Sequence, residues 1–217
     1  MGTHKYTDIF FDWNGTIIDD LNINFEVINS LLLNYGKSTI SLTEYRNAFS
    51  FPIKDFYGRI GLPINDNDYE KLVSDYWNLY KSKLQDVPLM NGISEIIHVL
   101  KERGINQYII SASDKQMILD QLSLYDIKDC FEDVIALENG YAHGKIEMAK
   151  QWLYTNNILK SNALMIGDTV HDYETAKAIN IDCVLINKGH QNLKNCNINA
   201  EVVICDDLNE LIDVVLQ

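Results

Sequence analysis

The 217 residues are 47% apolar and carry a formal charge of −13, with a pI near 4.7. That length holds one substantial core plus a smaller accessory unit. The acidic balance repels nucleic acid phosphates and anionic lipid, which excludes both as general partners, and an anionic substrate on such a chain needs help from a lysine, a helix end or a metal ion.

Cys130, Cys183, Cys196 and Cys205 are unevenly spaced and contain no C-x-x-C pair, which argues against a disulfide framework and a zinc site. The N-terminal MGTHKYTDIFFDW lacks a long apolar run, and Tyr6 stands where a myristoylation signal wants Ser or Thr. Nowhere does the chain approach the ~18 consecutive apolar residues that span a bilayer. The expectation is a cytoplasmic protein, monomer or homodimer, acting on a small molecule with no membrane or nucleic acid partner.

The first predicted element is the strand Ile9, Phe10, Phe11, followed at once by Asp12, Gly15 and Thr16. From Asp20 to Gln85 the pattern is helical, through FEVINSLLLNYG, SLTEYRNAF, PIKDFYGRIG and NDNDYEKLVSDYWNLYKSKL. Gly36 and Gly61 read as helix stops, Ser41 with Glu44 as a capping box, and Asn65 to Asp68 as a helix start. From Val87 helices and strands alternate: ISEIIHVLKERG, QYIIS, KQMILDQLSLY, DVIAL, KIEMAKQWLYTN, NALMIG, HDYETAKAIN, DCVLIN, then EVVIC and LNELIDVVL. Alternation of this kind means parallel strands with crossover helices, and Pro88 with Gly92 marks the return to it. The predicted fold is α/β, a doubly wound and mostly parallel sheet built from residues 1–19 and 87–217. Residues 20–86 form an inserted all-helical cap domain.

In an open parallel sheet, ligands bind beyond the carboxyl ends of the strands. There stand Asp12 after IFF, Ser111 after YII, and Asp168 with Asp172 after ALMIG, while Lys145 opens a helix after the loop Ala142, His143, Gly144. A nucleophile, a hydroxyl, an ammonium and a carboxylate pair are what phosphoryl transfer asks for. Taken singly, Asp12, Ser111, Asp168 and Thr169 read as turn or helix-cap residues and Lys145 as an exposed charge; together they overturn those readings.

FDWNGT, IISAS, GK opening a helix and GDTVHD, in that order, resemble the four motifs of the haloacid dehalogenase-like hydrolases across nearly the whole chain. The helical insertion is similar to the cap of the phosphoglycolate phosphatase and β-phosphoglucomutase branch. The resemblance implies a phosphatase with Mg²⁺ as cofactor and an aspartyl-phosphate on Asp12. It further implies Asp168 and the backbone carbonyl of Asn14 as metal ligands beside Asp12, with Asp172 as an acid behind them. Ser111 with Ala112 and Lys145 are then the groups that hold the phosphoryl oxygens and offset their charge, and Gly15 and Thr16 the turn that exposes backbone N–H groups to phosphate.

Position 14 departs from the pattern. Most phosphatases of the family carry there an aspartate that protonates the leaving alkoxide and activates water; the amide of Asn14 does neither. Three readings follow: a phosphatase whose substrate has a good leaving group or whose proton carrier lies elsewhere, for instance His171; a phosphonoacetaldehyde hydrolase, which the FDW-x-GT segment resembles and which needs a cap lysine, here Lys54 beside Ile53; and an impaired member that binds a phosphorylated metabolite. Within the cap, Arg46, Lys54 and Arg59 are candidates for reading an anionic group, and Phe49, Phe51 and Tyr57 for apolar contact.

Overall fold

A computed structural model of the chain describes residues 5–84, 87–138 and 144–216. The predicted boundary at residue 86, the N-terminal residues 1–4 and the Ala142, His143 part of the predicted loop lie outside them.

Strand β1 (Asp8–Phe11) is followed by four helices, α1 (Leu21–Asn34), α2 (Leu42–Ala48), α3 (Ile53–Arg59) and α4 (Asp66–Lys81). The alternating part then runs α5 (Ile93–Glu102), β2 (Asn106–Asp114), α6 (Lys115–Leu122), β3 (Asp133–Leu137), α7 (Lys145–Asn156), β4 (Ala163–Gly167), α8 (Val170–Ile179), β5 (Asp182–Ile186), β6 (Val203–Cys205) and α9 (Leu208–Val215). The six strands form one sheet in the order β3-β2-β1-β4-β5-β6, parallel throughout.

Side chains alternate across this sheet, so the apolar run of β1 serves two cores. Ile9 and Phe11 join Ile109, Leu164 and Ile166 beneath α5, α6 and α9, which contribute Ile97, Ile118 and Leu211. Phe10 faces the other way, with Tyr108 and Met165, against Leu153 of α7 and Ala176 of α8. Helices on both faces are what an all-parallel sheet requires, because neither face can be left to water.

Helices α1 to α4 bury their own apolar cluster around Leu31, Tyr45, Phe56 and Leu72. Their ends follow the expected chemistry. Ser41 Oγ accepts from Glu44 N (3.2 Å) while the Glu44 carboxylate accepts from Ser41 N (2.7 Å), and Asn65 Oδ1 accepts from Asp68 N (3.1 Å). The chain leaves the sheet and returns to it side by side: Asp19 N donates to Pro88 O and Met90 N to Ile17 O, each at 2.8 Å, with Ile18 and Leu89 bridged antiparallel.

Two elements differ from expectation. Helix α1 begins at Leu21, ahead of the predicted Phe25, because a polar residue occupies its buried face: Asn24 is buried and its Nδ2 donates to Asp20 Oδ2 at 2.6 Å. Strand β2 continues past Ser111 to Asp114 through a register shift after Ile110. Among the described residues no helix is long and apolar enough to cross a membrane.

Candidate active site

Strands β1 and β4 are neighbours with Phe11 opposite Ile166, so Asp12 and Asp168 emerge together at their carboxyl ends. Asp12 N donates to Ile166 O at 2.8 Å, which ties the tip of β1 to β4. Oxygens of Asp12, Asp168 and Asp172, one from each, lie within 4.8 Å of one another, and all three residues are buried. Lys145, the first residue of α7, is only 2% exposed; its Nζ donates to Asp12 Oδ1 and, at 2.5 Å, to Asp172 Oδ1. The second oxygen of Asp172 accepts from Thr169 N (3.0 Å) and Thr169 Oγ1 (2.7 Å) at the start of α8. Asp172 is therefore fixed from both sides and in turn fixes the ammonium of Lys145.

Burial drives the carboxyls of Asp12 and Asp168 above the ordinary range; Lys145 holds Asp12 back, and neighbouring carboxylates push both further up. Burial also opposes the charge on Asp172, but Lys145 and Thr169 outweigh it and bring Asp172 below the usual value. Lys145, hemmed between Asp12 and Asp172, stays firmly protonated despite its own burial.

Ser111 is buried at the same place, its Oγ accepting from Ser113 N at 3.2 Å, and both Ser111 and Ala112 line the cavity described below. Neither serine caps α6: Asp114 does, accepting from Met117 N at 2.9 Å. Gly15 and Thr16 depart from expectation, since their N–H groups are spent within the turn rather than offered to a phosphate. Gly15 N donates to Ile18 O and to Asp20 Oδ1, each at 3.0 Å, and Thr16 N to Trp13 O at 3.4 Å. What Gly15 provides is room. Its φ is +71°, and a Cβ there would sit 2.5 Å from Asp168 Oδ2.

The amide of Asn14 is held on every side, Nδ2 donating to Asp20 Oδ2 (2.8 Å) and the Tyr80 hydroxyl (3.1 Å), Oδ1 accepting from Ser113 Oγ (2.6 Å). Sequence reasoning missed the group behind it. Asp20 also accepts from Tyr80 Oη at 2.7 Å and lies 2.9 Å from His190 Nε2, while His190 Nδ1 is 3.0 Å from the Tyr45 hydroxyl. His190 N donates to Asp168 Oδ2 at 2.6 Å. Burial works against both charges, yet each sustains the other: His190 is pushed up to about 9 by Asp20, and Asp20 lies below the usual carboxylate value. The available signal was topological, because the loop after β5 also ends at the carboxyl edge of the sheet, where His190 sits.

Above this floor is a cavity of about 280 Å³ roofed by α1 to α4. Phe49, Phe51 and Tyr57 line it as expected, and so does His171, which stacks on Phe51 (centroids 4.7 Å apart) and is held below its ordinary pKa first by burial and then by Lys145. The three candidate cations do not line it. Arg46 binds the carbonyls of Asn187, Gly189 and Gln191, Lys54 pairs with Asp66 at 3.1 Å, and Arg59 binds Ala48 O and Ser50 Oγ. Ile53 lines the cavity where a Schiff-base lysine was sought, so the phosphonoacetaldehyde hydrolase reading loses its nucleophile.

The model of the haloacid dehalogenase-like hydrolases matches residues 9–186. The chain belongs to this family. Among its relatives, the pyrophosphatase PpaX of Listeria welshimeri is 28% identical over 81% of this chain and 80% of its own. The phosphoglycolate phosphatase of Pseudomonas fluorescens is 20% identical over 94% and 78%. A predicted phosphatase from Clostridium acetobutylicum has the same fold, with a TM-score of 0.81 at 19% identity over 97% of this chain and 98% of its own. This haloacid dehalogenase-like chain is thus an enzyme, a hydrolase whose curated relatives are phosphatases.

Proposed function

We propose that this hydrolase is a Mg²⁺-dependent phosphatase of a small phosphorylated metabolite, working through an aspartyl-phosphate on Asp12 beneath a cap formed by residues 20–86. The observation that carries it is the buried chain Asp12, Lys145, Asp172 lying beside Asp168 at the floor of the cavity. A binding module has no use for a carboxylate placed against a locked ammonium at the tip of a strand.

The donor set suits Mg²⁺, since three buried carboxylates lie together and only two of them, Asp12 and Asp172, are paired with the Lys145 ammonium; a small hard dication is the usual partner of such oxygens. Asp12, Asp168 and the carbonyl of Asn14 would hold it, with Asp172 behind them. When bound, Mg²⁺ supplies positive charge to the phosphoryl oxygens.

An Asp12 oxygen attacks phosphorus, and the ester P–O bond breaks with its electron pair departing on the substrate oxygen. Lys145 offsets the charge gathered on Asp12 and the phosphoryl group, while the Ser111 hydroxyl donates to a phosphoryl oxygen. Water then attacks phosphorus and the acyl-phosphate bond breaks, returning the Asp12 carboxylate. One water proton ends on the departed oxygen, and phosphate leaves with the other. Asn14 carries neither proton, so a contribution of ~10²- to 10⁴-fold from general acid–base catalysis is absent at that position. The acidic surface and four free cysteines support a cytoplasmic setting.

Phosphate release from p-nitrophenyl phosphate, measured with Mg²⁺ and with chelator, tests the proposal. Activity should require the metal and vanish in Asp12→Asn. Rapidly quenched wild-type enzyme should carry an adduct of about 80 Da, the mass of HPO₃, on the Asp12 peptide. Metal-independent turnover, or turnover that survives in Asp12→Asn, would refute it.

A further inference from the structure

We infer, building on that phosphatase reading, that the substrate is an aryl phosphate, a phosphomonoester whose leaving group is a flat, uncharged aromatic ring. Two independent features of the cavity converge on this class.

The first is the wall. Among the described residues, helices α1 to α4 themselves bring no charged side chain to the cavity, and Asp20, at the start of α1, is already spent on Asn14, Tyr80 and His190. They bring the aromatic rings of Phe49, Phe51, Tyr57, Tyr69, Tyr76 and Trp77 instead, with aliphatic Ile53 and Val73 between them. The hydroxyl of Tyr76 is engaged with Asn24 and that of Tyr80 with Asp20, so these residues offer the cavity their rings rather than free donors. Phe49 stacks on His190 with ring centroids 5.1 Å apart, which continues the aromatic surface down to the floor. A ring seated here gains offset-stacked and edge contacts from several sides. A second anion finds no unpaired cation among the described residues here: Arg46, Lys54 and Arg59 are tied up elsewhere, and the cations of the floor, Lys145 and His190, are already paired with Asp12, Asp172 and Asp20. Phosphoglycolate, with its carboxylate, and pyrophosphate, with its second phosphate, are both poor occupants.

The second feature is the locked amide of Asn14, which has no proton to give the departing oxygen. An alkoxide, with a parent pKa near that of water at about 15.7, needs that proton in order to leave. A phenolate, with a parent pKa of about 10, departs without it. The same residue that weakens catalysis on sugar or glycolate esters therefore costs little on a phenol ester.

Because aryl esters are also intrinsically more reactive, the test uses stable phosphonates and reads ground-state binding alone. Inhibition constants against p-nitrophenyl phosphate, with Mg²⁺ present, are compared for phenylphosphonate, methylphosphonate and phosphonoacetate. Phenylphosphonate should bind at least tenfold more tightly than phosphonoacetate. In Val73→Arg, which adds a cation to the wall, that preference should shrink or reverse while methylphosphonate changes little. Should Val73→Arg not fold, the wild-type comparison stands by itself. Phosphonoacetate binding as tightly as phenylphosphonate in an enzyme that does hydrolyse p-nitrophenyl phosphate would overturn the substrate class and leave the phosphatase reading intact. Absence of any ester hydrolysis and of the Asp12 adduct would overturn both.

Discussion

Restoring a carboxylate at position 14 gives an outcome that can be worked from the geometry. Asn14→Asp replaces an amide donor 2.8 Å from Asp20 Oδ2 with an acceptor, so two carboxylates face each other where a hydrogen bond stood. Two unit charges at that distance repel by about 6 kcal/mol at an effective dielectric of ~20. His190, 2.9 Å from the other Asp20 oxygen, returns part of this, leaving a penalty of roughly 2–4 kcal/mol if both carboxylates ionise. The folded variant avoids the penalty by keeping a proton between the pair, at a pKa well above the ~3.9 of an unfolded aspartate. Above about pH 4 it thus holds a proton that the unfolded chain has released, and its stability falls as pH rises toward the raised pKa. Thermal unfolding of the variant should match wild type near pH 4 and drop below it by roughly 5–15 °C at pH 8. That retained proton is what an alkoxide leaving group lacks in the wild type. Hydrolysis of alkyl phosphates should therefore rise by ~10²-fold or more in the variant near neutral pH, with much less gain on phenyl phosphate. A variant that melts in parallel with wild type from pH 4 to 8, or one whose alkyl-to-aryl rate ratio does not move, would refute the reasoning.

Removing the ammonium in Lys145→Ala leaves Asp12 and Asp172 buried without their cation; urea unfolding should show a loss of about 3–5 kcal/mol, and phosphate release should fall below detection. The His190 and Asp20 pair predicts an alkaline limb. His190, raised from 6.5 to about 9, contributes roughly 3 kcal/mol that is full below its unfolded pKa and is lost as pH climbs from about 6.5 through 9. The lowered pKa of Asp20 adds stability that is present above ~3.9 and lost only in acid, so His190→Phe should flatten the melting profile between pH 6.5 and 9 and leave a smaller acid limb. Gly15→Ala meets both a positive φ and the Asp168 carboxylate; it should cost about 1–3 kcal/mol and weaken Mg²⁺ binding measured by calorimetry.

Much of the architecture was legible because it is written in local periodicity. Alternating strands and crossover helices, the caps at Ser41 and Asn65, and the polar residues just beyond β1 and β4 and within the last part of β2 all follow from stretches of a dozen residues or fewer. The convergence of Asp12, Lys145, Asp168 and Asp172 follows from parallel topology, which sends every strand end to one edge. What local pattern cannot carry is a pairing across the chain. Asp20 and His190 are 170 positions apart, and nothing near either residue announces the other. The same limit explains the basic residues of α2 and α3. Arg46, Lys54 and Arg59 sit on amphipathic helices at positions compatible with the cavity, and only the folded chain reveals that loop carbonyls and Asp66 have claimed them. The turn at Gly15 is a different case: Asp20 is near in sequence and takes its N–H, an orientation of the carboxylate that spacing alone does not fix.

The backbone bonds that join Asp19 to Pro88 and Ile17 to Met90 have an evolutionary reach. They bring the chain's departure toward α1 and its return toward α5 into one spot beside the tip of β1. Any other segment placed between positions 19 and 88 would leave Asp12, Lys145 and Asp168 on the sheet but would have to supply partners for Asn14 and His190, as Asp20, Tyr45 and Tyr80 do here. Selectivity can diverge through that segment only as far as those partners are kept.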